Sequence, residues 1–381
     1  MIALRIIFMG TAELSCASLE KLAADKNFSV VAVVTQPDKP KGRELKLTPS
    51  PVKILAEKLG LPVLQPLKAR DEKFISELRE LKPGLMVVVA YGQILPQAIL
   101  DLPPHGCLNV HTSLLPKYRG AAPIQWAIAD GEPETGVTIM KMDAGLDTGP
   151  VLTTRRTPIL PTDDSQILHD RLAQLGAELL VETIPDYVSG KITPQPQAAE
   201  GSTYAAKIKK EDGQIDWSKP AVQIWNRLRA FTPWPGAFTF LRNAEHRLGT
   251  NELLPKHAEP VLGAPKPQLL KIWKAEVVER SGGIGEILAA DKTGIVVGCG
   301  QGALRILELQ REGGRRLTVE QFLAGFPLKA GAKFEPEFRS RPVGSCDAPS
   351  QKGVGDALVA GSHAGLPASG KMRRGRRGHL R

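Results

Sequence analysis

Several familiar signals are missing from this sequence. Its 381 residues hold four cysteines, Cys16, Cys107, Cys299 and Cys346, far apart and with no C-x-x-C pair. That spacing argues against a structural zinc site and suits a reduced, cytoplasmic chain without a bound metal. The opening MIALRIIFMG carries only a short apolar run closed by glycine, too brief for a signal peptide or a membrane span, so no membrane partner is expected. The patterns G-x-x-x-x-G-K-S/T, H-E-x-x-H and G-x-S-x-G are absent, which removes the usual nucleotide hydrolase, zincin and serine hydrolase readings. FMGTAELS offers only G-x-A after a strand, and TQPDKPKG stands where a ribose-binding acid belongs, so a nicotinamide cofactor is not expected either. No internal repeat is visible.

What is present is enough for two globular domains: apolar residues make up 42% and charged residues 24% of the chain. The formal charge of +10 is unevenly placed. Residues 1–206 sum to −2, residues 207–340 to +6, and residues 341–381 to a further +6. A near-neutral front joined to a basic back suggests a reaction centre coupled to a part that meets a polyanion. The plainer alternative is a basic surface kept for solubility.

LRIIFMG, SVVAVVT, LMVVVAYG and GCLNVH are apolar runs, and LSCASLEKLAA and PVKILAEKLG carry helical spacing. This alternation predicts an α/β fold, with strands buried on both faces of a doubly wound, mostly parallel sheet. TGVTIMKMD and PVLTTRRTPI follow too closely for a crossover helix and predict an antiparallel edge, closed by a long helix over about 164–188. GKITPQPQAAEGSTYAAK is polar and punctuated by Pro and Gly, as in a linker. Beyond it come a helix, AVQIWNRLRAF, and five strand-like runs: GAFTFL, LLKIWKAEVV, IGEILAA, GIVVGC and ALRILELQ. They predict a small OB-like β-barrel, with a sandwich as the alternative. The expected domains are therefore 1–189 and 207–340, with a linker at 190–206. The tail at 341–381 lacks an apolar period and is expected to be disordered.

In LNVHTSLLPKYRGAAP, Asn109 and His111 stand two residues apart at the end of a predicted strand, so their side chains share a face. They either cap a sheet or form a reaction centre. GLDTG sets Asp147 between glycines, as a turn aspartate bonding its own backbone or as a carboxylate brought to a ligand. Together an amide, an imidazole and a carboxylate can stabilise a tetrahedral oxyanion and manage one proton, the needs of acyl transfer to an amine. No Ser or Cys nucleophile is obvious nearby, which favours direct transfer without an acyl-enzyme. His105 and His169 lack such partners. TQPDKPKGRELKLTPSPVK, residues 35–53, is long for an α/β connection and carries Lys39, Lys41, Arg43, Lys46 and Lys53. It is either a solvated loop or a basic arm holding phosphates near the site.

With NVHTSLLPKYRGAAPIQWAI, TGVTIMKMDAGLDTGPVL, TQPDKPKGR, SPVKILAE, MVVVAYGQILP and AFTPWPGAF in the family's order, the chain closely resembles the methionyl-tRNA formyltransferases over roughly residues 3–335. The Asn-x-His, SLLP and Asp core alone marks the wider folate-dependent formyltransferases. The SPVK loop, IDWS at 215–218 and the basic second domain point to the tRNA enzymes. The resemblance implies transfer of the formyl group of 10-formyltetrahydrofolate to the α-amino group of methionyl initiator tRNA, by a monomer without a metal. It implies that Asn109 and a protonated His111 stabilise the oxyanion while Asp147 orients His111 and relays a proton. It assigns Ser113, Leu114, Leu115 and Pro116, with the backbone at Ala90, Tyr91 and Gly92, to the folate site. Lys39, Lys41 and Arg43 fall in the loop that meets the tRNA acceptor.

The chain departs from the family at Thr112, where a small residue is usual, at GTAELS, and in a longer segment at 243–268. The tail has no counterpart. Two other functions remain for comparison. A folate enzyme formylating a small amine, such as a nucleotide-linked amino sugar or glycinamide ribonucleotide, has no need of a basic second domain. A non-catalytic RNA-binding protein has no need of Asn109, His111 and Asp147 together.

Overall fold

The structure, a computed structural model, describes residues 3–41, 46–241 and 267–335. Arg43, all but the last two residues of 243–268, and the 341–381 tail lie outside the described residues.

The first lobe opens with β1 (Leu4–Gly10), α1 (Leu14–Ala24), β2 (Phe28–Val34), β3 (Lys39–Lys41), β4 (Lys46–Thr48), α2 (Pro51–Lys58), β5 (Val63–Leu64), α3 (Glu72–Glu80) and β6 (Leu85–Val89). It continues through α4 (Gln97–Leu100), β7 (Cys107–His111), β8 (Arg119–Gly120), α5 (Pro123–Ala129), β9 (Glu134–Lys141), β10 (Val151–Pro158) and α6 (Ser165–Val188). Seven strands make one sheet in the order β10-β9-β7-β6-β1-β2-β5. β5, β2, β1, β6 and β7 are parallel, and β9 and β10 form an antiparallel edge, as the sequence predicts.

Strand periodicity sends alternate residues of β1 to opposite faces. Ile6 and Phe8 pack with Leu168 and Leu172 of α6, while Ile7 and Met9 pack with Phe74 of α3 and Ile99 of α4. Covering both faces is what makes unbroken apolar strands such as LMVVV stable, and all five residues of β6 are buried. The winding reverses between β1 and β6. In such sheets the crevice beyond the strands' C-terminal ends at that point receives ligands.

The predicted 35–53 loop is instead closed by a short hairpin. β3 and β4 pair antiparallel, with Lys39 opposite Thr48 and Lys41 opposite Lys46. Its base is pinned where Ser50 caps α2, accepting from the Lys53 amide at 3.0 Å, and its hydroxyl lies 2.7 Å from that of Thr35. Lys53 donates to Asp38 at 2.8 Å. That bond, with one from Gln65, holds the Asp38 carboxyl below its ordinary range. Lys53 is thus engaged in a half-buried pair at the base of the loop, while Lys39 is exposed on the hairpin, its ammonium donating to Gln36.

The second lobe follows β11 (Tyr204–Ala205) and a short 3-10 turn. It holds α7 (Ala221–Ala230), β12 (Ala237–Leu241), β13 (Gln268–Val278), β14 (Ile287–Asp291), β15 (Gly294–Gly298), β16 (Ala303–Arg311), β17 (Arg316–Thr318), α8 (Val319–Gly325) and β18 (Phe334–Glu335). Its antiparallel sheet runs β14-β15-β16-β13-β12-β18, with β17 beside β16. The Phe334 amide donates to the Gly285 carbonyl and the Ile287 amide to that of Ala332, both at 2.8 Å, which curls the edges together into the expected small barrel. Trp217 fills it, stacked on Phe334 and donating to Thr239 at 2.9 Å.

The lobes meet through α7. Arg229 donates to the carbonyls of Leu160 (3.0 Å) and Asp163 (2.9 Å), and Phe231 packs edge-on against Trp126 of α5. The segment expected as a linker is held against the first lobe. Its β11 pairs in parallel with β8, and Gln195 bridges Val151.

Candidate active site

β7 lies between β6 and β9, and its alternation puts Asn109 and His111 on one face. After His111 the chain folds back on β9. Thr138 donates to the Ser113 carbonyl at 2.7 Å and accepts from the Leu115 amide at 3.2 Å, while the Ser113 hydroxyl donates to the Lys117 carbonyl at 2.7 Å. This turn delivers Tyr118, whose carbonyl lies 2.9 Å from Nε2 of the buried His111. A carbonyl only accepts, so Nε2 bears a hydrogen and Nδ1 is the nitrogen left toward the site. Tyr118 is itself anchored: its hydroxyl is 3.0 Å from both Asp130 and Glu132. Burial and these two carboxylates push the phenol far above its ordinary range.

Asp147 arrives from the β9–β10 connection. Its φ of +53° is in the left-handed region, where a non-glycine residue stays only if its surroundings hold it. Within the loop, Asp143 accepts from the Gly145 amide at 3.0 Å and from the Thr148 hydroxyl at 2.7 Å. Gly149 closes it because a Cβ there would stand 1.9 Å from the Lys141 carbonyl oxygen. The carboxylate accepts from Asn109 Nδ2 at 3.3 Å and from the Gly120 amide at 2.9 Å. Its Oδ2 is 3.7 Å from His111 Nδ1, close enough for charge attraction but longer than a hydrogen bond. Gly120 has φ of +111°, and a Cβ there would meet the Ala205 carbonyl at 2.8 Å.

These groups stand at the polar end of a cavity of about 550 Å3 whose walls include Val88, Leu95, Met140 and Met142. Ala90, Tyr91, Gly92 and Thr112 also line it. Ala90 and Gly92 have positive φ, and the Tyr91 carbonyl between them accepts from Thr11 and Gln36, both at 2.9 Å. The Tyr91 ring is buried, which pushes its phenol up to about 12. Ser113, Leu114, Leu115 and Pro116 lie outside the cavity wall and shape the turn behind it. Lys39 and Lys41 are on the hairpin, and Arg43 is outside the described residues.

Three contributors escape sequence reasoning. Tyr118 and Gly120 act through backbone groups, although both belong to the YRG that follows SLLPK. Gln197 donates to the carbonyls of Asp147 and Gly149, both at 2.8 Å, and no pattern in PQPQ marks it. A larger groove, about 740 Å3, runs between the lobes beside Trp225, Arg229, Trp273 and Arg316. Its cations stack on its own tryptophans, Arg229 on Trp225 at 4.0 Å and Arg316 on Trp273 at 5.1 Å. The convergent acid–base groups are in the smaller cavity. Among the described residues, no group of three or more His, Cys, Asp or Glu could hold a metal ion. None of the described helices is long and apolar enough to cross a membrane.

Residues 4–184 match the Formyl transferase family, and residues 207–327 match the Formyl transferase C-terminal domain. A methionyl-tRNA formyltransferase from Geobacter sulfurreducens is 50% identical over 333 residues, 87% of this chain and 97% of the relative. The chain belongs to the methionyl-tRNA formyltransferase family. Another member, from Myxococcus xanthus, is 49% identical over 86% of this chain and 97% of its own length. The fold extends further than the family. An N-formyltransferase from Helicobacter canadensis, solved with folinic acid and dTDP-3-aminofucose, superposes with a TM-score of 0.55 at 21% identity, over 83% of this chain and all of that one. HypX from Aquifex aeolicus, solved with tetrahydrofolic acid, gives 0.53 at 18% identity, over 85% of this chain and 48% of its own.

Proposed function

We propose that this site moves the formyl group of 10-formyltetrahydrofolate onto the α-amino group of methionyl initiator tRNA. The observation that carries the reading is the convergence of Asn109, His111 and Asp147 at the polar end of the cavity, in a chain of this family. Apolar walls with polar groups at one end suit a flat, polar-edged pteridine. The Ala90–Gly92 backbone is the edge against which such a ring would lie.

The amine attacks the formyl carbon, and its carbonyl oxygen becomes an oxyanion. Asn109 has two amide hydrogens and gives one to Asp147, which leaves the other for that oxygen. A protonated Nδ1 of His111 supplies a second donor, because Nε2 is held by Tyr118. Collapse breaks the bond from carbon to N10. N10 gains a proton as the amine loses one, and Asp147, through water, is the base within reach. With its carboxylate already accepting from Asn109 and Gly120, Asp147 sets the position of Asn109 and stands 3.7 Å from His111 Nδ1.

The test is formylation by the purified protein with 10-formyltetrahydrofolate and charged initiator tRNA, beside charged elongator methionine tRNA. Initiator tRNA should react at least about tenfold faster, a selectivity of ~1.4 kcal/mol. Formylation of a nucleotide-linked amino sugar but of neither tRNA would overturn the reading.

A further inference from the structure

We propose that Gln197 is a positioning residue for Asp147, acting from the strap between the lobes. The inference rests on the reading of Asp147 as part of the reaction centre. Asp143 braces Gly145 and Thr148, but the carbonyl of Asp147 itself is held by Gln197, whose amide group donates to it and to the Gly149 carbonyl. Both amide hydrogens are thereby used, on the residue with the left-handed backbone and on the glycine that closes the loop.

The other end of Gln197 is equally occupied. Its Oε1 accepts from Nε and Nη2 of Arg119, at 3.0 and 2.8 Å. Arg119 precedes Gly120, whose amide donates to the Asp147 carboxylate. One half-buried side chain therefore joins the two devices that fix the carboxylate: the loop's carbonyls and the strand carrying its amide donor. Arg119 and Gly120 form β8, which pairs with β11 of the same strap. Releasing Gln197 frees Asp147 to leave the left-handed region and to lose its approach to Asn109 and His111.

Gln197→Glu separates this role from simple packing. Glutamate keeps the size and the contact with Arg119, but sets an oxygen against two carbonyl oxygens in place of two N–H donors. At saturating substrates kcat should fall at least about tenfold, with KM for tRNA within about twofold and an unchanged melting temperature. If Gln197 acts through Asp147, Gln197→Glu should add no further loss to Asp147→Asn in single-turnover assays. A kcat near wild type in Gln197→Glu would overturn the inference. So would a loss that follows lowered melting, or one that recurs in full beside Asp147→Asn. Near-normal turnover by Asp147→Asn alone would instead overturn the reading of the site.

Discussion

Asn109 has two amide hydrogens and Asp147 takes one, which leaves the other for the oxyanion in the proposed reaction. Removing an oxyanion donor costs on the order of 3 kcal/mol, a hundredfold or more in rate. Asn109→Ala should show that loss in kcat with its melting temperature nearly unchanged, measured by formylation and thermal denaturation side by side. A rate within a few fold of wild type would remove Asn109 from the mechanism. The side chains that converge on the cavity, Asn109, His111 and Asp147, are legible in the sequence because their chemistry is fixed by residue type. The Tyr118 carbonyl and the Gly120 amide are not, since every residue but proline has both groups and only the turn decides where they point. Thr112, the unusual neighbour, is buried between Asn109's strand and the turn and leaves His111 bonded to Tyr118.

Among the elements, long buried strands and helices were readable because burial on two faces demands apolar runs. The β3–β4 hairpin and β11 were not, because strands of three and two residues are too short to show a period. The start of α6 shows what an element's end can carry. Asp163, 1% exposed, accepts from Arg171 at 2.6 and 2.8 Å and from the Leu160 amide at 2.8 Å, and its own carbonyl receives Arg229 of the second lobe. Burial raises its carboxyl pKa, but the bonds from Arg171 and Leu160 and the charge of Arg229 outweigh it, so the net direction is downward. A depressed folded value means this contribution is full above the ordinary carboxylate pKa of about 4 and is lost as pH falls through the folded value. Asp163→Asn should therefore melt earlier at pH 7, by about 3 kcal/mol for a broken buried pair. The gap should close as the wild type is titrated below about pH 4. A difference that persists unchanged in acid would mean the charge is not responsible.

For the whole molecule, charge separation is the leading physical fact: the front half is near neutral, and residues 207–340 carry +6. Phosphate contacts make association fall with salt, each contributing close to one unit of logarithmic slope. Arg43→Ala should weaken tRNA formylation and reduce the slope of log kcat/KM against log salt by about one. An unchanged slope would place Arg43 away from phosphate. The strap has its own bearing on where the reacting half of the molecule stops. A fragment ended after α6 would hold Asn109, His111 and Asp147 and the entire seven-stranded sheet. It would still lack Gln197, which grips the Asp147 loop, and Tyr204–Ala205, which border Gly120. The unit that holds the Asp147 loop is therefore longer than its sheet: Gln197 and β11 belong to the stretch that composition alone marks as a mere tether.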